Sequence, residues 1–187
     1  MDEVDGGGSC VVVLDDSAAV IGTTDKLTAH GRPAIPHLAF SVVLFDVSGA
    51  TLLQRRAATK YHFAGRWSNT GCSHPRPDEP LRAAARRRVA EELNVDCGEL
   101  HVRGGFWYHA EDPGSEFAEH EYDVVLVGEL RGTAAPDPRE ISEVALRPPE
   151  QVLTDIAADG RTYTPWLAMT LRTALGPAQP IAVDVPL

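Results

Sequence analysis

Residues 69 to 75 read NTGCSHP, which sets the thiol of Cys72 two positions from the imidazole of His74 inside a polar turn. Farther along, Glu119 and Glu121 stand two apart in EHEYDVVLVGEL (119 to 130), a run with strand character. Side chains two apart on a strand share a face, and two carboxylates there repel unless a cation or a shared proton lies between them. A solvated strand face would carry the same pattern. His30, His37 and His74 are three of seven histidines. Imidazole nitrogens together with carboxylate oxygens suit a divalent ion such as Zn²⁺, Mn²⁺ or Mg²⁺, although each histidine taken singly is equally an ordinary polar residue.

The elements that must position these groups can be read along the chain. Residues 1 to 9, with DGGGS, offer little to bury and are expected to form a flexible leader. A short strand is expected at 10 to 14. HLAFSVVLFDVSGATLLQRR (37 to 56) reads as two apolar strands around a Ser48-Gly49 turn. DEPLRAAARRRVAEEL (78 to 93) carries Leu81, Ala85, Val89 and Leu93 at steps of four, which predicts a helix. Two more helices are expected at 148 to 160 and 164 to 175, the second with Pro165 just inside its start. The expectation is one α/β (α+β) domain over residues 10 to 176, a mixed sheet between helical layers, followed by a tail at 177 to 187.

The 78 to 93 helix also bears charge in a pattern. Glu79, seven residues, Arg87, Val89, Glu91 and Glu92 resemble the Nudix box, G-x5-E-x7-R-E-U-x-E-E-x-G-U, whose carboxylates hold Mg²⁺ against a diphosphate. A charged amphipathic helix would explain the same residues. Ser73, Arg88 and Asn94 replace the first glycine, a glutamate and the second glycine. A guanidinium in place of a metal-binding carboxylate argues against a standard hydrolase of nucleoside or prenyl diphosphates, which stays as the alternative reading.

One branch of the Nudix superfamily has a box degenerate in this way. The chain resembles the type 1 isopentenyl-diphosphate isomerases over about residues 10 to 170, through DKLTAH (25 to 30), HLAFSVVLF (37 to 45), RRA (55 to 57), GRWSNTGCSHP (65 to 75), RRRVAEEL (86 to 93), WYHAEDP (107 to 113), EHEY (119 to 122) and TPW (164 to 166). The resemblance implies a Nudix-type mixed β-sheet sandwiched between α-helices. It implies interconversion of isopentenyl and dimethylallyl diphosphate through protonation at C4, a tertiary carbocation and deprotonation at C2.

The resemblance places a divalent ion (Mn²⁺, Mg²⁺ or Zn²⁺) on His30, His37, His74, Glu119 and Glu121, and a second, Mg²⁺ carried with the substrate diphosphate, at Glu92. It gives the protonation side to Glu121 assisted by Tyr108, the deprotonation side to Cys72, and cation stabilisation to Trp166. Lys26, Arg55 and Lys60 match basic positions around the diphosphate, with Arg55 ranked first because a guanidinium can chelate phosphate oxygens. Cys72 and His74 therefore belong to different tasks, and the family's glycine between them is here Ser73.

Totals bound the partners. A net charge of -10 and a pI near 5.1 argue against nucleic acid as a partner, since phosphate neutralisation needs a basic face. An anionic substrate must then be held by a local basic or metal cluster. Three cysteines without a CxxC pair suggest neither a disulfide framework nor a thiolate zinc site and fit a reducing cytoplasm. No apolar run reaches the roughly 18 residues of a membrane span. The expected partner is a small prenyl diphosphate, with the protein a monomer or weak homodimer and no membrane partner.

Overall fold

The computed structural model describes residues 10–187; the expected leader at 1 to 9 lies outside them. In chain order the elements are β1 (Cys10–Leu14), β2 (Val20–Asp25), α1 (Lys26–His30), β3 (His37–Phe45), β4 (Thr51–Arg56), β5 (Trp67–Ser68), β6 (Gly71–Ser73), α2 (Leu81–Leu93), β7 (His101–Glu111), β8 (Ala118–Glu129), β9 (Ile141–Arg147), α3 (Pro149–Ala158), a 3₁₀ turn (Gly160–Thr162) and α4 (Leu167–Leu175). Strand β3 organises the sheet. It runs parallel to β8 along its whole length, from His37 opposite Glu121 to Phe45 opposite Glu129. Its other edge is shared by β1, β6 and β4, each antiparallel.

The expected β3–β4 hairpin forms, but the strands separate at once and pair only at Phe45 and Thr51. Thr70 bridges the gap: its hydroxyl donates to Leu52 O at 2.7 Å and accepts from Leu44 N at 2.9 Å. Strand β4 then pairs with β9 and β5. The chain thus splits away from β3 and leaves a cleft beside it.

Alternation on the central strands builds two cores. Leu38, Phe40, Val42 and Leu44 of β3, with Tyr122, Val124 and Leu126 of β8, face Leu81, Ala84, Ala85, Val89 and Leu93 of α2. Val43 and Val125 face the opposite way, against Val152 of α3 and Leu167, Leu171 and Ala174 of α4. This is the mixed sheet between helical layers that the sequence predicts.

Helix α2 starts at Leu81, not at Asp78, because Asp78 has φ 63, outside the helical region, and Pro80 precedes the first turn. It ends at Asn94, whose left-handed φ of 51 takes the conformation for which the box uses glycine. Ser73 needs no glycine at all: it lies in β6 opposite Phe40, with ordinary extended backbone. Residues 177 to 187 pack on the domain, with Val183 buried among the α2-side core and Leu81 N donating to Pro186 O at 2.9 Å. No helix is long and apolar enough to cross a membrane among the described residues.

Candidate active site

Where β3 and β4 part, a cleft is lined by Lys26, Arg56, Lys60, His62, Cys72, His74, Arg88, Glu92, Tyr108, Glu119, Glu121, Glu140 and Trp166, among others. At its inner end three imidazoles converge on one carboxylate oxygen. Glu121 Oε1 lies 2.8 Å from His74 Nε2, 3.3 Å from His37 Nε2 and 3.7 Å from His30 Nε2. The His37–Glu121 register across the β3–β8 pair makes this closeness inevitable.

These donors fit a divalent ion. His30 Nδ1 sits 2.7 Å from Lys26 O and His37 Nδ1 2.7 Å from Ile35 O. A proton on each Nδ1, donated to its carbonyl, leaves the Nε2 lone pairs aimed at the centre, the arrangement metal-bound histidines adopt. His30 Nε2 and Glu119 Oε2 face each other at 3.1 Å, yet both are buried and neither makes a hydrogen bond among the described residues. Burial opposes charge on His30, but Glu119 and Glu121 outweigh it and carry its pKa up to about 10. The cluster therefore demands a positive charge at its centre.

The second oxygens of the two carboxylates have other partners. Tyr108 Oη donates to Glu121 Oε2 in a short hydrogen bond, and His62 Nε2 lies 2.6 Å from Glu119 Oε1. Burial together with the charge of Glu121 raises the Tyr108 phenol well above its usual value. Asp123, next on the same strand face, accepts from Ser41 Oγ at 2.8 Å, and burial beside Glu121 pushes its pKa up to about 8.

Cys72 lines the same cleft on β6. Burial pushes its thiol up to about 12, against the opposing pull of Arg56, so the thiol is the resting form. Trp166 packs edge-on to Phe63 with ring centroids 5.4 Å apart and lies 5.8 Å from Tyr108. Its indole donates to Asn69 Oδ1 at 3.1 Å, and Asn69 Nδ2 donates to Gly71 O at 2.6 Å. Asn69 therefore fixes the tryptophan and the backbone beside Cys72 together.

Of the basic residues, Lys26 and Lys60 reach the cleft, and Lys60 Nζ is 2.5 Å from Glu140 Oε2. Arg55 requires a correction. It projects from the far face of β4, where it donates to Gly65 O at 3.0 Å and meets Glu143 at 3.5 Å. The guanidinium in the cleft belongs to its neighbour Arg56, 6 % exposed. Adjacent strand residues face opposite sides, so the RR pair offers one position to the site and the other to solvent.

Arg88, standing where the box has a carboxylate, forms a short ion pair with Glu92 Oε1. Burial raises the pKa of Glu92, partly offset by Arg88, and its Oε2 makes no hydrogen bond among the described residues. Sequence reasoning missed Arg56, Arg88 as a cleft cation, Asn69 and His62. The only available signal for His62 was its place in KYHF, between two of the matching motifs.

Comparison with known proteins identifies the family and the fold. The family profile described as the NUDIX domain matches residues 35–167. A protein of Nocardia farcinica named isopentenyl-diphosphate Delta-isomerase is 44% identical over 164 residues, covering 88% of this chain and 93% of that one. Proteins of the same name from Halorhodospira halophila and Streptomyces coelicolor are each 42% identical, covering 92% and 89% of this chain and 95% and 83% of theirs. Among solved structures, DR0079 from Deinococcus radiodurans superposes with a TM-score of 0.72 at 20% identity, covering 89% of this chain and 99% of that one. A MutT protein from Methanosarcina mazei Go1 gives 0.59 at 17%, covering 74% and 93%; at these identities the likeness is one of fold.

Proposed function

The chain belongs to the isopentenyl-diphosphate Delta-isomerase family of NUDIX domain proteins, and on that premise we propose that its cleft moves the double bond of isopentenyl diphosphate to give dimethylallyl diphosphate. The observation that carries this reading is the joint presence, around one cleft, of the Tyr108–Glu121 pair, the Cys72 thiol and the Trp166 ring. Moving the double bond requires a proton added at C4 and one removed from C2, with a tertiary cation between.

Tyr108 and Glu121 hold a proton on one side, and Cys72 handles one on the other. Both sides are protonated at rest, so turnover toward dimethylallyl diphosphate starts once the thiol has passed its proton to solvent. The Tyr108–Glu121 side then gives a proton to C4, the thiolate takes one from C2, and the Tyr108–Glu121 side regains its proton from solvent. The reverse reaction uses the same groups in exchanged roles. Each positioned group contributes about 10²- to 10⁴-fold. The Trp166 ring faces the cation with π density worth about 2 kcal/mol when desolvated and with no lone pair to trap it.

His30, His37, His74, Glu119 and Glu121 would hold a divalent ion, Zn²⁺, Mn²⁺ or Mg²⁺, which supplies the positive charge that keeps the two carboxylates together. Arg56, Lys26, Lys60 and Arg88 bind the diphosphate, and Glu92 takes the Mg²⁺ that accompanies it. The three cysteines, free in the fold, suit a cytoplasmic enzyme acting on a small soluble substrate, as a monomer or weak homodimer.

Proton NMR with isopentenyl diphosphate and Mg²⁺ in deuterated water, with phosphate and diphosphate assayed in the same tube, tests the reading. Dimethylallyl diphosphate carrying solvent deuterium, without phosphate release, is expected. Phosphate release with an unchanged carbon skeleton would move the chain to hydrolysis, against which the Arg88–Glu92 pair speaks. Cys72→Ala is expected to keep the fold and lose turnover.

A further inference from the structure

We propose that His62 is a positioning residue for the metal centre, holding Glu119 by one carboxylate oxygen so that the other points at the ion, and joining that carboxylate to the anion-binding Arg56. The inference rests on the reading of His30, His37, His74, Glu119 and Glu121 as the ligand set. His62 Nε2 is 2.6 Å from Glu119 Oε1, a close hydrogen bond to a carboxylate. Glu119 Oε2 is the oxygen that turns toward His30 Nε2. One carboxylate is thus divided between a protein donor and the metal-binding centre. An unheld carboxylate can rotate or bind through either oxygen, and outer hydrogen bonds of this kind are what orient metal ligands.

The loop carrying His62 is built for accuracy. Arg56 Nη2 donates to His62 O at 3.0 Å, so the residue meets the anion side through its main chain and the metal side through its ring. The next residue, Phe63, has φ 47, a left-handed backbone unfavourable for a bulky side chain. Two contacts enforce it: Phe63 N donates to Asp112 Oδ2 at 2.9 Å, and its ring is buried against Trp166. A turn tied to Asp112 just past β7, to Trp166 and to Arg56 leaves the His62 ring little freedom. The hydrogen bond to Glu119 requires the proton on Nε2, and His62 Nδ1 is buried with no hydrogen bond among the described residues.

Zn²⁺ affinity, measured by competition with a chromogenic chelator, tests this apart from catalysis. His62→Leu is expected to weaken Zn²⁺ binding by about 10- to 100-fold, with unchanged circular dichroism. His62→Gln, which restores an N–H donor, is expected to recover most of the loss. Wild-type affinity in His62→Leu overturns the proposal if His37→Ala binds poorly. A loss in His62→Leu as deep as that of His37→Ala, unrescued by glutamine, also overturns it, because His62 is then a ligand. Undiminished affinity in His37→Ala overturns the ligand set itself and the proposal with it. Nitrogen-15 NMR of the wild-type Zn²⁺-loaded protein reads the ring directly: the Nε2–H tautomer is expected, and the Nδ1–H tautomer overturns the proposal even if the leucine variant fails to fold.

Discussion

Arg55 and Arg56 are neighbours in sequence and opposites in space. Arg56 lines the cleft, its guanidinium 5.9 Å from the Trp166 ring, while Arg55 spans Gly65 and Glu143 on the outer face. Loss of a charge-assisted hydrogen bond to a phosphate costs about 1.5–3 kcal/mol. Arg56→Ala is therefore expected to lower kcat/KM by about 10- to 150-fold, and Arg55→Ala to leave it nearly unchanged. Steady-state kinetics of the two variants side by side checks this, and equal effects would refute the assignment.

Trp166→Leu keeps an apolar side chain in the cleft and removes the aromatic face. The expected loss is about 2 kcal/mol of cation stabilisation, or about 30-fold in kcat, with little change in KM. A variant that raises KM alone would mean that Trp166 shapes the pocket without meeting the cation.

Glu79, the first acid of the box, has become structural here. It takes Arg87 in a two-pronged ion pair at 2.8 Å on each oxygen and accepts from Arg76 N at 2.9 Å. Arg87 holds its carboxyl below the usual glutamate range. A lowered folded-state pKa gives stability that is present above the unfolded glutamate pKa and lost as pH falls through the folded one. Glu79→Gln is expected to cost about 0.2–1 kcal/mol near pH 7, with the difference from wild type shrinking toward pH 3. Urea midpoints at the two pH values measure it.

Metal removal should leave a folded protein, with His30 taking a proton in the ion's place because Glu119 and Glu121 carry it up to about 10. Binding of Zn²⁺ near pH 7.5 should then release about one proton, seen as buffer-dependent heat in titration calorimetry. At 100 times its dissociation constant the ion should add about 2.7 kcal/mol of stability. Buffer-independent heat would mean that His30 is neutral in the free site.

The sequence announced its strongest periodicities and little of what joins them. Helix α2 and strands β3 and β8 follow from steps of four and from apolar runs. Strand β7 was not expected, because HVRGGFWYHAE contains two glycines, and one of them, Gly105, leaves space that the Tyr122 ring fills. Strand β9, largely exposed or half-buried, has no clear alternation either. In the site, the five proposed metal ligands lie on elements or turns that matching motifs mark. Arg56 was hidden by its twin, since strand alternation identifies a face only once the register is known. His62 lies in a loop, where no period exists to reveal what a side chain meets.

The parallel pairing of β3 with β8 also orders events in time. His30, His37 and His74 leave the ribosome long before Glu119 and Glu121, and His37 meets Glu121 only when β8 docks along β3. Contacts so far apart in the chain are slow to close. No nascent fragment ending before residue 119 can complete the cluster, so the growing chain has no finished trap for a stray cellular cation until its sheet is nearly whole.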